Sequence, residues 1–203
     1  MSKPAFLRAE PDARRQSLVA ATARVLARDG ATGASVRAIA LEAGVSPGLV
    51  GHYFAGIDAL VAETYAATGQ QVRAALAEAV AAAGANPRKR VEAYVTASFA
   101  APIADRALFA TWIAFWSLSS KPAIRMQHDA IYQGYRDTLV ALLAACGMAA
   151  AERRLAAIAI TALVDGLWLE LCLSPGSFTP AEACAIAVRQ LAGYFDRSAN
   201  SSR

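Results

Sequence analysis

The chain has 203 residues, a formal net charge of +4 and a pI near 9.2. A chain of this length can bury a core without staples, and its three cysteines show no CxxC spacing, which argues against a disulfide framework. The N-terminal stretch has no apolar signal core, so we expect a cytoplasmic protein. The basic excess is compatible with nucleic acid, and it is concentrated in residues 1–55, which hold seven Lys or Arg against four Asp or Glu.

The chain predicts an all-α fold, because no alternating apolar run of strand length appears and helix-forming residues fill the stretches between Gly, Pro and Asn. Ser35 and Ser46 are predicted N-caps, Pro47 occupies a first helical position, and Gly30 and Gly44 are predicted stops. These signals place helices over residues 11–29, 35–43, 46–53, 57–83, 87–101, 105–119, 122–146, 150–173 and 180–197.

The stretch GVSPGLVGHYF, residues 44–54, combines poor helix formers with a His-Tyr-Phe cluster. Two short helices joined by a glycine turn, after a longer helix, are typical of a helix-turn-helix unit whose second helix enters the DNA major groove. Helical spacing turns Val50 and Phe54 inward, and Gly48 and Gly51 remove side-chain bulk where the helix would approach DNA. We expect the following residues to face DNA: Arg37, Ser46, Pro47, Gly48, Leu49, His52 and Tyr53.

Each of these side chains has a chemical role in that interpretation. Ser46, His52 and Tyr53 can donate hydrogen bonds to phosphates, which fixes position rather than sequence. Leu49 can contact a thymine methyl group, and Arg37 can reach a phosphate or a base edge. The alternative is a helical hairpin that only turns a corner.

Residues 33–60, GASVRAIALEAGVSPGLVGHYFAGIDAL, resemble the DNA-binding signature of TetR-family transcriptional regulators. The resemblance implies a helix-turn-helix DNA-binding domain over 1–56 and an effector-binding and dimerisation domain over 57–203. It further implies a homodimer that binds a double-stranded DNA operator and acts as a repressor relieved by a small-molecule effector.

The chain departs from that signature at three positions. Ile57 replaces a phosphate-contacting lysine of many members, and Leu49 and Gly51 replace their threonine and tyrosine. Basic residues of the N-terminal arm can compensate for the missing lysine, namely Lys3, Arg8, Arg14 and Arg15.

Two later stretches, TWIAFWSLSS and ALVDGLWLEL, are similar to a subset of that family, the BetI-type repressors of choline-to-betaine genes. Aromatic faces attract quaternary ammonium ions, and a buried carboxylate can balance the charge of a choline-like effector. The expected effector residues are Trp112, Phe115, Trp116, Tyr132, Tyr135, Asp165 and Trp168. In the alternatives, the rings are ordinary core, Asp165 caps a helix or bonds across a dimer, or the effector is neutral and hydrophobic.

Residues 155–173 are almost wholly apolar, which fits either a membrane span or a buried helix. Asp165 and Glu170 disfavour the membrane interpretation, because an acid in the bilayer core costs several kcal/mol. Pairing of this helix and the last one with a second copy would bury both. The expected dimer residues are Leu155, Ile158, Cys184, Val188, Leu191 and Phe195.

Other function classes are disfavoured by what the sequence lacks. His52 and His128 are the only histidines, which excludes a histidine-rich metal site, and His128 beside Arg125 and Asp129 is expected to be solvated. No nucleophile set or phosphate-binding glycine loop appears, so we expect no catalytic residue and no cofactor. The remaining rivals are a small helical enzyme and a nucleoid DNA binder without an effector.

Overall fold

The computed structural model describes residues 11–200, and this part of the chain forms nine helices and no strand. The helices are α1 Pro11–Gly33, α2 Val36–Glu42, α3 Pro47–Tyr53, α4 Ile57–Ala82, α5 Pro87–Ala97, α6 Arg106–Ser117, α7 Pro122–Ala145, α8 Ala150–Leu173 and α9 Pro180–Asn200. Each predicted helix is present, which confirms the all-α class.

The helix boundaries follow the local signals in most places. The Ser35 hydroxyl accepts a hydrogen bond from the Ala38 amide at 3.1 Å, so Ser35 is the N-cap of α2 as predicted. Gly30 interrupts α1 with a φ of 67°, and the chain then continues for a further turn. Helix α5 ends at Ala97, short of the predicted 101, and the next three amides donate to carbonyls three residues back, so the chain continues in tighter turns.

Two hydrophobic clusters form the interior. The larger cluster is formed by side chains of all six helices from α4 to α9, together with Leu26 of α1. The smaller one joins α1, α2, α3 and the first turn of α4, and consists of Leu18, Ala21, Val25, Ile39, Ala40, Val50, Phe54 and Leu60. Val50 and Phe54 belong to it, which confirms their predicted inward orientation.

Helices α1, α4 and α6 connect the two clusters. Leu26 of α1 lies in the larger cluster, and α6 packs along α1, where the Thr111 hydroxyl donates a hydrogen bond to the Ala23 carbonyl at 3.2 Å. The Lys121 ammonium, just before α7, pairs with the Asp58 carboxylate in the first turn of α4 at 2.6 Å. The C-terminal helices are therefore in direct contact with the helices that enclose the smaller cluster.

The outer surface of α8 is the most apolar part of the fold. This helix is long and apolar enough to cross a membrane by length and composition, although it packs on α6, α7 and α9. Leu155 is 60% exposed and Ile158 is 39% exposed. On α9, Leu191 and Phe195 are buried in the larger cluster of the same chain, whereas Cys184 and Val188 are half-buried. Leu155 and Ile158 are thus open to a partner, and Cys184 and Val188 are partly open, whereas Leu191 and Phe195 pack within their own chain.

Candidate DNA-binding surface and effector cavity

A glycine turn sets the angle between α2 and α3. Gly44 has a φ of 66°, a conformation that side chains rarely adopt. Its amide donates to the Leu41 carbonyl at 3.1 Å, and the Val45 amide donates to the Ala40 carbonyl at 2.9 Å. These two bonds form a Schellman motif, which satisfies the last carbonyls of α2 and directs the chain into α3.

Helix α3 presents most of the predicted DNA-facing residues to solvent. The Ser46 hydroxyl makes no capping hydrogen bond, so the side chain is available to an external acceptor or donor. Leu49 and Tyr53 are half-buried at the edge of this surface. The exposed members are Arg37, Ser46, Pro47, Gly48 and His52.

The two glycines of α3 have no role in packing within the chain. A methyl group built on Gly48 or Gly51 would meet no atom within 4 Å, and neither residue has a positive φ. Glycine inside a helix costs about 1 kcal/mol relative to alanine. The glycines therefore weaken the helix without benefit to the fold, which favours the interpretation that they leave room for a close external surface.

Most basic side chains near α3 are already paired. Arg24 and Arg28 bind the Glu42 carboxylate at 2.6 and 2.8 Å. Within the part of the chain that the structure describes, Arg37 has no ion-pair partner. Arg37 is therefore the basic side chain of α2 that is free to meet a phosphate or a base.

Arg15 has a structural position rather than the free one expected of the N-terminal arm. Its guanidinium binds both carboxylate oxygens of Glu63, donates to the Tyr53 carbonyl at 2.9 Å, and lies 4.4 Å from the centre of the Phe54 ring. These contacts fasten the end of α3 to α1 and α4. Lys3 and Arg8, which were also expected to contact phosphate, lie outside the described residues.

A small cavity lies in the larger cluster, between α4, α5, α6, α7 and α8. Its volume is about 30 Å³, room for only one or two water molecules. It is lined by Val72, Leu76, Tyr94, Ser98, Trp112, Tyr135, Leu139, Ile160, Thr161, Val164, Asp165 and Trp168. Four predicted effector residues are thus brought to one cavity: Trp112, Tyr135, Asp165 and Trp168.

Tyr132 links Trp116, a predicted effector residue outside the lining, to Trp112 in the cavity wall. Its hydroxyl oxygen accepts hydrogen bonds from the indole nitrogens of Trp112 and Trp116, at 3.2 and 3.0 Å. Phe115 turns away from the cavity and stacks on Tyr65, with ring centres 4.3 Å apart. The three aromatic residues of α6 therefore have different neighbours. Trp112 and Trp116 donate to Tyr132, whereas Phe115 packs on α4.

Asp165 is the charged group of the cavity. Burial raises the pKa of its carboxyl group to about 7, and a hydrogen bond from the Tyr132 hydroxyl partly opposes that rise. Because two indoles already donate to the Tyr132 oxygen, the tyrosine's own proton is free to serve Asp165. Among the described residues, no basic side chain forms an ion pair with Asp165.

Sequence reasoning missed several members of this network. Tyr94 and Ser98 line the cavity from α5, on an inward stripe spaced by four residues that the sequence already contains. His128 was expected to be solvated, and this is corrected by the structure. Its Nδ1 lies 3.0 Å from the Tyr65 hydroxyl, its ring stacks on Tyr132 at 4.2 Å, and burial lowers its pKa.

The fold and these two sites define a helix-turn-helix protein with a separate helical ligand-binding region. The family described as bacterial regulatory proteins of the tetR family matches residues 18–64, and the family described as the C-terminal region of BetI-type transcriptional repressors matches residues 87–196. The chain belongs to the TetR family of transcriptional regulators and carries a BetI-type C-terminal domain. Its relatives are regulators of transcription rather than enzymes.

Individual relatives agree with this assignment. The HTH-type transcriptional regulator BetI of Burkholderia thailandensis is 35% identical, covering 86% of this chain and 89% of that protein. A transcriptional regulator from Pseudomonas aeruginosa PAO1 has a TM-score of 0.82 and 42% identity, covering 96% of this chain and 98% of that one. A regulator from Saccharomonospora viridis, solved in complex with choline, shares the fold at a TM-score of 0.72 and 19% identity, over 88% of this chain and 95% of that one.

The free space around Gly51 leads to a prediction with opposite effects on stability and function. Gly51→Ala should raise the free energy of unfolding by about 0.5–1 kcal/mol, because alanine is the better helix former. The same methyl group should weaken operator binding, because it fills the gap between α3 and the groove. Urea unfolding and fluorescence anisotropy with labelled operator DNA measure the two effects.

The control for this variant is Gln71→Ala, which improves helix propensity at an exposed position of α4. It should leave the operator affinity unchanged. Wild-type operator affinity in Gly51→Ala would contradict the assignment of this face to DNA.

The raised pKa of Asp165 predicts a pH-dependent stability cost. The folded chain holds the Asp165 proton up to about pH 7, whereas an unfolded aspartate releases it near pH 4. The free energy of unfolding of the wild-type protein should therefore fall as the pH rises from about 4 to about 7. Asp165→Asn removes this titration. Above pH 7, the free energy of unfolding of the variant should exceed that of wild type by about 2 kcal/mol, a value reduced to allow for the partial exposure of the side chain. The difference should shrink toward pH 4 in urea unfolding curves, and a difference that is constant with pH would contradict the assignment.

Proposed function

We propose that this chain is a cytoplasmic homodimeric repressor that is released from its operator by a small quaternary ammonium ion. In this proposal, α3 of each subunit enters the major groove of one half-site. The half-sites of a dimer operator are then about 34–36 Å apart, one turn of DNA, or a multiple of that spacing. The effector occupies the cavity that Asp165 and the aromatic rings line.

The observation that carries the effector proposal is a carboxylate among aromatic rings with no cation beside it. Trp112 and Trp168 meet edge to face at 5.7 Å, and Trp112 stacks on Tyr135 at 6.4 Å, so ring surfaces surround the Asp165 end of the cavity. A quaternary ammonium ion gains about 0.5–2 kcal/mol from each well-placed ring. It also supplies a counter-charge that favours the ionised form of Asp165, whereas beside a neutral ligand burial keeps the pKa of this group raised.

The volume of the cavity supports a coupling between effector and DNA. A space of about 30 Å³ is too small for a trimethylammonium group, so the walls must move when a ligand enters. Val72 and Leu76 form one wall and belong to α4, the helix whose first turn packs in the DNA-binding cluster through Leu60. Opening the cavity would therefore shift α4 and the attached α3. Effector binding would then change the affinity for DNA, and the coupling free energy between two such sites is typically about 1–3 kcal/mol.

A regulator of the same fold from Saccharomonospora viridis has been solved in complex with choline. At 19% identity, that likeness concerns the fold and not the contacts. The proposal of a choline-like effector rests on the residues of this chain. A neutral hydrophobic effector in the same cavity remains the rival, and the charge of the ligand separates the two.

The effector proposal is tested with choline and its uncharged isostere, 3,3-dimethylbutanol. Isothermal titration should give choline a Kd between micromolar and millimolar, which corresponds to a binding free energy of about −8 to −4 kcal/mol. The Kd of the isostere should be at least about tenfold higher. Choline should also release labelled operator DNA. Asp165→Asn should abolish the preference, because it removes the counter-charge and keeps the size of the side chain.

The control for that variant is Asp137→Asn, an exposed aspartate of α7 outside the cavity, which should keep the preference. Equal binding of choline and dimethylbutanol by the wild-type protein would show that the charge is not recognised. The cavity residues would then be core or a site for a neutral ligand.

The dimer proposal rests on the exposed apolar face of α8. Contiguous apolar surface of this kind marks an interaction site, and a two-fold axis lets one face cover its own copy. The double variant Leu155→Glu with Ile158→Glu should sediment as a folded monomer, because both side chains are already exposed. Leu191→Asp should instead unfold the chain, because Leu191 is buried in its own subunit.

Arg154→Glu is the matched control, since it places the same acid at an exposed position of α8 that is not apolar. It should sediment as a dimer at micromolar concentration, and only the double variant should lose tight operator binding. A wild-type chain that sediments as a monomer would contradict the dimer.

A further inference from the structure

A second, larger groove lies on the far side of the cavity wall, between α4, α5 and α7. Its volume is about 470 Å³, and its apolar floor includes Val80 and Leu142. Arg73 and Arg90 are the charged residues among those that line it, and no acidic residue does. The groove therefore combines an apolar floor with two positive charges, a combination complementary to an anionic group on a small organic molecule.

Neither arginine is committed to another partner within the described residues. Arg73 and Arg90 take part in no ion pair there. Arg73 lies across α7 at Gly134, where a methyl group would come within 3.1 Å of a terminal guanidinium nitrogen. The glycine thus lets the guanidinium lie close to α7 at the edge of the groove.

The groove and the Asp165 cavity share a wall. Leu76, Tyr94 and Tyr135 line both. Burial raises the pKa of both phenols, Arg73 opposes that rise, and Asp165 adds to it. The two tyrosines therefore lie within the electrostatic reach of a carboxylate on one side and of a guanidinium on the other.

We propose that the effector is zwitterionic, with its quaternary ammonium group beside Asp165 and an anionic group reaching Arg73 and Arg90 across the wall of Leu76, Tyr94 and Tyr135. This inference rests on the proposed function, which places the cation in the Asp165 cavity, and it adds the chemistry of the other end of the ligand. Outward movement of the shared wall joins the two spaces into one. That movement also supplies the volume that the closed cavity lacks.

The charge pattern explains why such a ligand is preferred to a simple cation. A ligand with only a positive charge satisfies Asp165 and gains nothing from the two guanidinium groups at the groove. A ligand with an anion at the other end binds both, and a hydrogen-bonded ion pair with arginine is stronger than a neutral contact. Specificity between ligands of similar size would then come from the arginine end.

Carnitine and carnitine amide test this on the full-length protein, because they differ in one charge and not in shape. Isothermal titration should show that wild type binds carnitine at least about tenfold more tightly than the amide, as expected for a charge-assisted contact. In Arg73→Gln the ratio should fall to within about twofold, while the choline Kd changes by less than about threefold. Arg106→Gln, an exposed arginine outside the groove, should retain the wild-type ratio.

Arg90→Gln is a second variant with the same expected loss of preference, so that misfolding of one variant does not decide the result. Circular dichroism of Arg73→Gln and Arg90→Gln checks that both variants keep their helical structure. Equal affinity of wild type for carnitine and its amide, with choline still bound, would overturn the zwitterion and leave the proposed function standing. Failure of every quaternary ammonium compound to bind would overturn both. A wild-type preference for carnitine that survives in Arg73→Gln and in Arg90→Gln would also overturn the inference, because the anion would then be held elsewhere.

Discussion

The Tyr132 hydroxyl, which interacts with the Asp165 carboxyl group, is the point on which the effector region depends. Two indoles donate to the Tyr132 oxygen, which leaves its proton for the carboxylate. In this way α6, α7 and α8 meet at one polar point inside an otherwise apolar cluster. Buried networks hold a unique arrangement when every member is satisfied, and the described buried side-chain polar atoms all have partners. The charge of Asp165 has no ion-pair partner within the described chain, and this is the observation from which we propose a cationic ligand.

Helix α4 lines the Asp165 cavity and also contributes Leu60 to the smaller cluster. Tyr65 of α4 packs on Trp112 and Phe115, and its hydroxyl meets His128 of α7. Two residues earlier, the Arg15 guanidinium joins Glu63 of α4 to the end of α3. The path from cavity to recognition helix therefore runs through direct contacts along a single helix.

Much of the DNA-binding surface was predictable because its signals are local. Ser35 caps the helix that it precedes, Gly44 turns the chain, and Val50 and Phe54 recur at the helical period and face inward. Each of these outcomes depends on residues within a few positions of one another. The structure added a different fact about the glycines of α3, namely that no described residue packs against them.

The effector region was predictable only in part, because periodicity shows which residues share a helix face and not what that face meets. Trp112 and Phe115 share a face by spacing, yet one lines the cavity and the other stacks on Tyr65. Long-range packing also decided that His128 is bonded.

By itself, the sequence determined the helices, the helix-turn-helix and the candidate aromatic and acidic residues, since these depend on local propensity, capping and chemistry. Only the tertiary structure decided that Leu191 faces its own core, that Ile158 faces outward, and that Tyr94 lines the same cavity as Asp165. The reason is that an amphipathic helix can bury its apolar face against any neighbour. Which neighbour it meets is fixed by how all the helices fill one volume together.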